Sequence, residues 1–169
     1  DLSDEKAEVC TGLPIETYDI SKLNKKQDNS NNGSVKELKH IYSSHIKGNK
    51  ITSRKPSIQG IVIHNDYGSM TPSNYLPWLY GREKAGTHVN GWASVYVNRN
   101  ECLWYHPTDY VEWHCGNTWA NNNLIGLEVC ESYPGRISDK IFLENEEATL
   151  KVAADILKSY DLPVNRSTV

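Results

Sequence analysis

The chain carries two ionisable side chains, His64 and Glu128, at positions suited to chemistry. His64 ends the run 60–63, whose three consecutive β-branched residues predict a buried strand. In α/β proteins, reacting groups lie beyond the carboxyl ends of strands. Imidazole is a preferred zinc ligand and the usual acid or base near neutral pH. His64 is therefore predicted to bind a metal or to transfer a proton. The alternative is a partly buried histidine that hydrogen-bonds a neighbouring loop.

Glu128 lies inside the apolar run Leu124-Ile125-Gly126-Leu127-Glu128-Val129, which predicts a second buried strand. A carboxylate in such a strand is costly unless it is paired, hydrogen-bonded or functional. Desolvation would raise its pKa, which is the usual way of preparing a general base for neutral pH. Glu128 is therefore the candidate acid or base, unless it faces outwards on an edge strand.

Three further histidines, His88, His106 and His114, are polar candidates for the same site. His114 precedes Cys115 and could stabilise an oxyanion or simply hold a loop. A cysteine beside a histidine also allows a reactive thiol, so a cysteine hydrolase is an alternative. The four cysteines are too few for a disulfide scaffold and form no CxxC pair. They are predicted to be buried free thiols rather than a structural zinc knuckle.

Composition and motifs exclude several classes of function. The 169 residues suffice for one domain with a core, and 38% hydrophobic with 23% charged residues is typical of a globular chain. A net charge of -3 argues against nucleic-acid binding across the surface. No apolar segment is long enough for membrane insertion, and the acidic start lacks a signal peptide. The chain also lacks a GxSxG elbow and an HExxH pair, so serine hydrolases and thermolysin-like proteases fit poorly.

The order of predicted elements indicates an α/β fold with a mixed central β-sheet flanked by helices. Residues 1–33 are predicted to be weakly structured, with a linker or flexible loop over 25–33, and Ser34 can cap a short helix over 34–47. The remaining elements follow as a strand at 60–64, a helix from Thr71 to Gly86, a hairpin of 93–97 and 102–105, a strand at 124–129 and a helix from Asn145 that Pro163 stops.

Several segments together resemble the N-acetylmuramoyl-L-alanine amidase domain of the amidase type 2 family, and most closely the central amidase domains of staphylococcal phage endolysins. The resemblance spans about residues 58 to 169. It is carried by Gly60–Asn65, Gly86–Val89, Tyr105–Tyr110, Glu112–Asn117, Ile125–Val129 and Leu162–Arg166.

The resemblance implies zinc-dependent cleavage of the amide between N-acetylmuramic acid and L-alanine in bacterial peptidoglycan. His64 then matches a zinc ligand and Glu128 the catalytic acid or base. The family's other two ligands, a His and a Cys, would follow Val169. His88, Trp92 and His114 are expected to contact substrate.

The resemblance also implies a domain organisation. Residues 1–50 would be a linker with a short helix, and 51–169 an amidase domain that is C-terminally incomplete, since it lacks the segment with the remaining zinc ligands. Additional domains or a C-terminal segment would lie outside this chain. The protein would act on the bacterial wall, either as a phage endolysin or as an extracellular autolysin.

Two other functions stay open at this point. Related recognition proteins share the fold and bind muropeptides without zinc, so the chain could be a non-catalytic peptidoglycan-binding module. Glu128 discriminates against this, because a pure binder has no use for a buried general base. The other alternative is a cysteine amidase that uses Cys115 and His114.

Overall fold

A computed structural model describes residues 37–43 and 57–169, which form a mixed β-sheet flanked by helices. The strands are β1 (Lys39–Tyr42), β2 (Gly60–Asn65), β3 (Val95–Val97), β4 (Glu101–Trp104) and β5 (Leu124–Val129). The α-helices are α1 (Pro72–Lys84), α2 (Thr118–Asn123) and α3 (Asp139–Ser159), and a short 3-10 helix covers Thr87–Asn90. Across these residues the predicted α/β fold with a mixed sheet is confirmed.

The sheet has the order β1-β4-β3-β5-β2, and only the β3–β4 pair is antiparallel. That pair is the predicted hairpin, which Asn98 closes by accepting hydrogen bonds from the backbone of residues 100 and 101. Strand β5 lies inside the sheet between β3 and β2. Both of its neighbours run parallel to it, so the carboxyl ends of β2, β3 and β5 meet at one edge.

Each face of the sheet buries its own apolar cluster, because successive side chains of a strand point to opposite faces. Helix α3 covers one face, where Val152 and Ile156 pack with Val95 and Leu127. Helix α1 covers part of the other face through the buried side chains Tyr75 and Leu79, which pack with Tyr96, Leu103 and Tyr105. Within the described ranges, no helix is both long enough and apolar enough to cross a bilayer.

Helix α1 begins as the sequence predicts, with Thr71 as N-cap and Pro72 in the first turn. The Glu101 carboxylate accepts hydrogen bonds from the N–H and hydroxyl of Ser73, which ties the start of α1 to β4. Gly86 follows the helix with φ 72°, a left-handed conformation that glycine adopts at no steric cost.

The predicted helix over 34–47 is wrong within the described residues, since Lys39–Tyr42 form strand β1. Its apolar spacing fits a helix, but so short a helix is only marginally stable by itself. The open edge of β4 offers unpaired backbone groups instead. Lys39 N–H donates to Asn100 and Ser43 N–H to Trp104. Four residues that we assigned to the linker region therefore belong to the sheet, while 1–33 lies outside the described residues.

Helix α3 begins at Asp139, earlier than the predicted start at Asn145, because Ser138 accepts a hydrogen bond from Ile141 N–H and caps it. Asn145 is instead fully buried within the helix. Its amide donates to the Cys130 carbonyl at 3.0 Å, and its oxygen accepts from Arg99 N–H at 3.0 Å. Asn145 therefore joins α3 to the ends of β5 and β3.

We expect Asn145→Ala to lower the free energy of unfolding by about 2–3 kcal/mol, because it leaves a buried N–H and a buried carbonyl unpaired. Urea denaturation followed by circular dichroism measures this loss. Glu147→Ala on the exposed side of α3 is the matched control and should leave the midpoint unchanged. An Asn145→Ala midpoint equal to that of the control would contradict the assigned role.

Candidate functional site

His64 and Glu128 lie side by side near the carboxyl ends of two adjacent strands. Strands β2 and β5 pair in parallel, with His64 in register with Glu128. Tyr96 on β3 is in register with Glu128 from the other side. Register partners in a sheet share a face, so the three side chains point to the α1 side. The topology thus gathers the two candidates that were 64 residues apart in sequence.

Glu128 is partly buried on an interior strand, so the alternative of an outward-facing residue on an edge strand is wrong. Desolvation, together with the negative charges of Asp66 and Glu112, raises its pKa to about 7. Its Oε2 atom is buried without a hydrogen-bond partner among the described residues. A carboxyl in this state can accept or donate a proton near neutral pH.

His64 contacts His114, which lies in the loop before α2. Their rings share a hydrogen bond of 2.9 Å between His64 Nε2 and His114 Nδ1. The His114 and Cys115 backbone N–H groups both donate to Asn121 Oδ1, which fixes the loop to α2. Burial lowers the pKa of His64, so its imidazole is neutral at neutral pH and keeps a nitrogen lone pair for a ligand.

Gly126 makes the approach of His114 possible, a role that we did not predict. A Cβ atom on Gly126 would lie 2.7 Å from His114 Cγ, so any larger residue would displace the ring. The Gly126 N–H donates to Glu112 Oε1 at 2.8 Å, and Glu112 is completely buried. Glycine inside a strand is a known sign of close approach by another group, so the sequence did contain this signal.

Asp66 is a second carboxylate that sequence reasoning missed. It follows β2 directly and accepts hydrogen bonds from Gly68 N–H, the Tyr75 hydroxyl, and the N–H and hydroxyl of Ser132. These donors come from the β2–α1 loop, from α1 and from the segment after β5. Asp66 therefore holds together the loops that follow His64 and Glu128.

His88 and Trp92 lie in an aromatic cluster next to these residues. Their rings are 6.3 Å apart, and Trp92 also packs on Trp113 at 4.9 Å and on His106 at 5.5 Å. Trp92 is 3% exposed and His106 is equally buried, which fits packing from the inside. His88 Nδ1 and Trp92 Nε1 are buried without a partner in the described part of the chain. Substrate contact by His88 and Trp92 stays a prediction.

Cys115 has polar neighbours but not the electrostatics of a nucleophile. Its sulfur lies 3.8 Å from His114 Nε2, and the thiol donates to Asn121 Oδ1 at 3.4 Å. Burial raises the pKa of the Cys115 thiol, whereas a reactive thiolate needs a lowered pKa. Cys102 and Cys130 are buried thiols outside any disulfide, as predicted, and Cys10 lies outside the described residues.

The described residues do not complete a metal site on their own. In 37–43 and 57–169, no group of three or more His, Cys, Asp or Glu side chains is arranged to hold an ion. Zinc in proteins is usually held by at least three side chains. His64 is available as one ligand, but the fit to zinc is incomplete without donors from elsewhere.

Two helices lie beside the site. Tyr75 of helix α1 packs on Tyr96, the register partner of Glu128, with ring centroids 4.8 Å apart, and Trp78 of the same helix is 45% exposed. The residues Asn121, Asn122 and Asn123 belong to α2. The Asn117 side chain caps this short helix by accepting a hydrogen bond from Ala120 N–H.

Two staphylococcal phage endolysins are similar to this chain in sequence. It is 82% identical over 166 residues to endolysin 2638A of Staphylococcus phage 2638A, covering 98% of this chain and 34% of that protein. It is 31% identical over 147 residues to endolysin PlyTW of Staphylococcus phage Twort, covering 86% of this chain and 30% of that protein. The chain thus spans about a third of the length of these relatives.

Solved structures share its fold. The PlyG catalytic domain aligns with a TM-score of 0.58 at 20% identity, over 73% of each chain. The Staphylococcus aureus hydrolase AmiA, solved with its ligand, aligns with a TM-score of 0.53 at 19% identity, over 89% of this chain and 65% of that one. The sequence profile of the family described as N-acetylmuramoyl-L-alanine amidase matches residues 53–169. The chain therefore belongs to the N-acetylmuramoyl-L-alanine amidase family.

Proposed function

We propose that this chain is the amidase domain of a peptidoglycan hydrolase that cleaves the bond between N-acetylmuramic acid and L-alanine with the help of zinc. The observation that carries this proposal is the partly buried Glu128 carboxyl, with a pKa of about 7, in register with His64. The named phage relatives are endolysins, which supports action on the wall of a staphylococcal host.

Glu128 would supply both proton transfers of the hydrolysis. Its carboxylate takes a proton from the attacking water while the water oxygen bonds to the carbonyl carbon. The same carboxyl then returns that proton to the alanine nitrogen as the carbon–nitrogen bond breaks. The products are the lactyl carboxylate of the sugar and the free amino terminus of the stem peptide. A pKa near 7 suits a group that must serve in both directions.

Zinc is the proposed cofactor, with His64 as one ligand. A bound zinc ion would polarise the scissile carbonyl and acidify a water molecule. We propose that the remaining ligands are a His and a Cys, as the family resemblance implies. We further propose that His114, 2.9 Å from His64, positions substrate or stabilises the developing oxyanion.

Two alternatives have specific observations in their favour. The incomplete ligand set within the described residues favours a peptidoglycan-binding module without catalysis. The closeness of Cys115, His114 and Asn121 favours a cysteine amidase. The raised pKa of Glu128, about 7, opposes the first, and the raised pKa of the Cys115 thiol opposes the second.

We expect Glu128→Gln to lower the rate of amide hydrolysis by about 10²–10⁴-fold while binding to purified walls is retained, because the amide cannot carry the proton. Release of L-alanine amino termini and free lactyl groups from staphylococcal walls measures the rate. Glu147→Gln, on the exposed face of α3, is the matched control and should stay fully active. A fully active Glu128→Gln protein would rule out the assigned base, and wall binding without release by the wild type would favour the binding module.

For the full-length protein, which would supply the remaining zinc ligands, we expect a strong chelator to abolish hydrolysis and added Zn²⁺ to restore it, while Cys115→Ser retains activity within about twofold. Elemental analysis of the purified protein and the same release assay test both statements. A Cys115→Ser protein that loses all activity, together with wild-type activity that resists chelation, would establish the cysteine amidase instead.

A further inference from the structure

Tyr67 is a large aromatic side chain left open to solvent next to the proposed site. It is 65% exposed, the highest fraction among the exposed large apolar side chains of the described residues. It comes three residues after His64, so the two Cα atoms lie at most about 11 Å apart. Packing of the core does not account for so exposed a ring at this position.

Tyr133, in the segment after β5, packs against Tyr67. The Tyr67 and Tyr133 rings lie 4.8 Å apart between centroids and are tilted by 49°. Tyr133 comes five residues after Glu128, and the Arg136 guanidinium lies 4.8 Å over its ring. The contact between the two tyrosines thus joins the segment that follows β2 to the segment that follows β5.

Hydrogen bonds hold this pair of rings in place. Tyr67 has φ 48°, a left-handed conformation that is strained for a bulky residue. Its N–H donates to Ser132 Oγ at 2.8 Å, and the Ser132 hydroxyl donates to Asp66 at 2.6 Å. Tyr133 N–H donates to the Gly68 carbonyl at 3.0 Å. The backbone that carries the exposed Tyr67 ring and its neighbour Tyr133 is therefore fixed on both sides.

We propose that the exposed Tyr67 ring, supported by its contact with Tyr133, forms a stacking platform for the pyranose ring of the muramoyl residue whose lactyl amide is cleaved. This inference rests on the proposed function and names the subsite that holds the sugar. Tyrosine rings offer an apolar face with a polar edge, which suits a sugar ring with C–H faces and equatorial hydroxyls. The first stem-peptide residue is alanine, which has no such face.

The position of the platform fits the length of the substrate. Only the short lactyl group separates the sugar ring from the scissile carbonyl, so the sugar must lie close to the reacting groups. Tyr67 and Tyr133 lie beyond the strand ends that carry His64 and Glu128, at the same edge of the sheet. A fixed platform would add binding free energy, because little conformational freedom is left to lose there.

The test compares two soluble probes, N-acetylmuramoyl-L-alanyl-D-isoglutamine and the same dipeptide without the sugar. Their dissociation constants are measured by calorimetry on the protein carrying Glu128→Gln, with and without Tyr67→Ala. We expect Tyr67→Ala to weaken binding of the sugar-bearing probe at least fivefold and to leave binding of the dipeptide within twofold. Tyr67→Phe should bind both probes like the parent, since the ring face carries the contact.

Tyr42→Ala is the matched control. Tyr42 is also an exposed tyrosine stacked on a neighbouring aromatic ring, Trp104, but it lies on β1 at the opposite edge of the sheet. It should leave both dissociation constants unchanged. Equal binding by Tyr67→Ala and its parent, equal weakening of both probes, or the same loss in Tyr42→Ala would overturn the platform.

The wall-hydrolysis assay on the otherwise wild-type protein separates this inference from the proposed function. With Tyr67→Ala we expect KM to rise at least fivefold and kcat to stay within twofold. If the wild type hydrolyses walls but the sugar-bearing probe binds equally well to Tyr67→Ala, only the platform is refuted. If Tyr67→Ala weakens binding of the sugar-bearing probe but the wild type does not hydrolyse walls, the amidase is refuted and the sugar subsite stands.

Discussion

The parallel pairing of β2 with β5 is the constraint on which the site depends. It places Glu128 inside the sheet, where burial raises its pKa to about 7, and puts His64 in register beside it. Gly126, two residues earlier on the same face of β5, leaves room for His114 to reach His64. A shift of this register by one residue would turn Glu128 and His64 to opposite sides. Helix α3 packs against β5 on the opposite face of the sheet.

Three carboxylates near this edge have different environments and therefore different roles. Asp66 accepts hydrogen bonds from two loops and from α1, so it holds these segments together beside the strand ends. Glu112 is fully buried and accepts from the Gly126 backbone. Both raise the pKa of Glu128, whose Oε2 has no partner among the described residues. A carboxyl whose pKa is raised towards neutrality by burial and neighbouring charges, as in Glu128, is typical of acid and base catalysis.

Much of this arrangement could be predicted from local sequence. The apolar runs predict β2 and β5 with their polar residues, and Thr71-Pro72 predicts the start of α1, because these signals depend on residues next to each other. Strand β1 could not be predicted, since it forms only where β4 offers a free edge. The roles of Asp66 and Gly126 depend on contacts with Ser132 and His114 that are distant in sequence. The zinc ligand set and the domain boundary near residue 50 stay predictions.

Titration of the Glu128 side-chain carboxyl by carbon-13 NMR, assigned through loss of its signal in Glu128→Gln, shows directly whether this group can exchange a proton near neutral pH. We expect a midpoint near pH 7, because the carboxyl is desolvated and lies near the charges of Asp66 and Glu112. A midpoint near 4.5, the ordinary value, would show that Glu128 is solvated and already ionised well below neutral pH. That result would contradict its role as the group that takes and returns the proton.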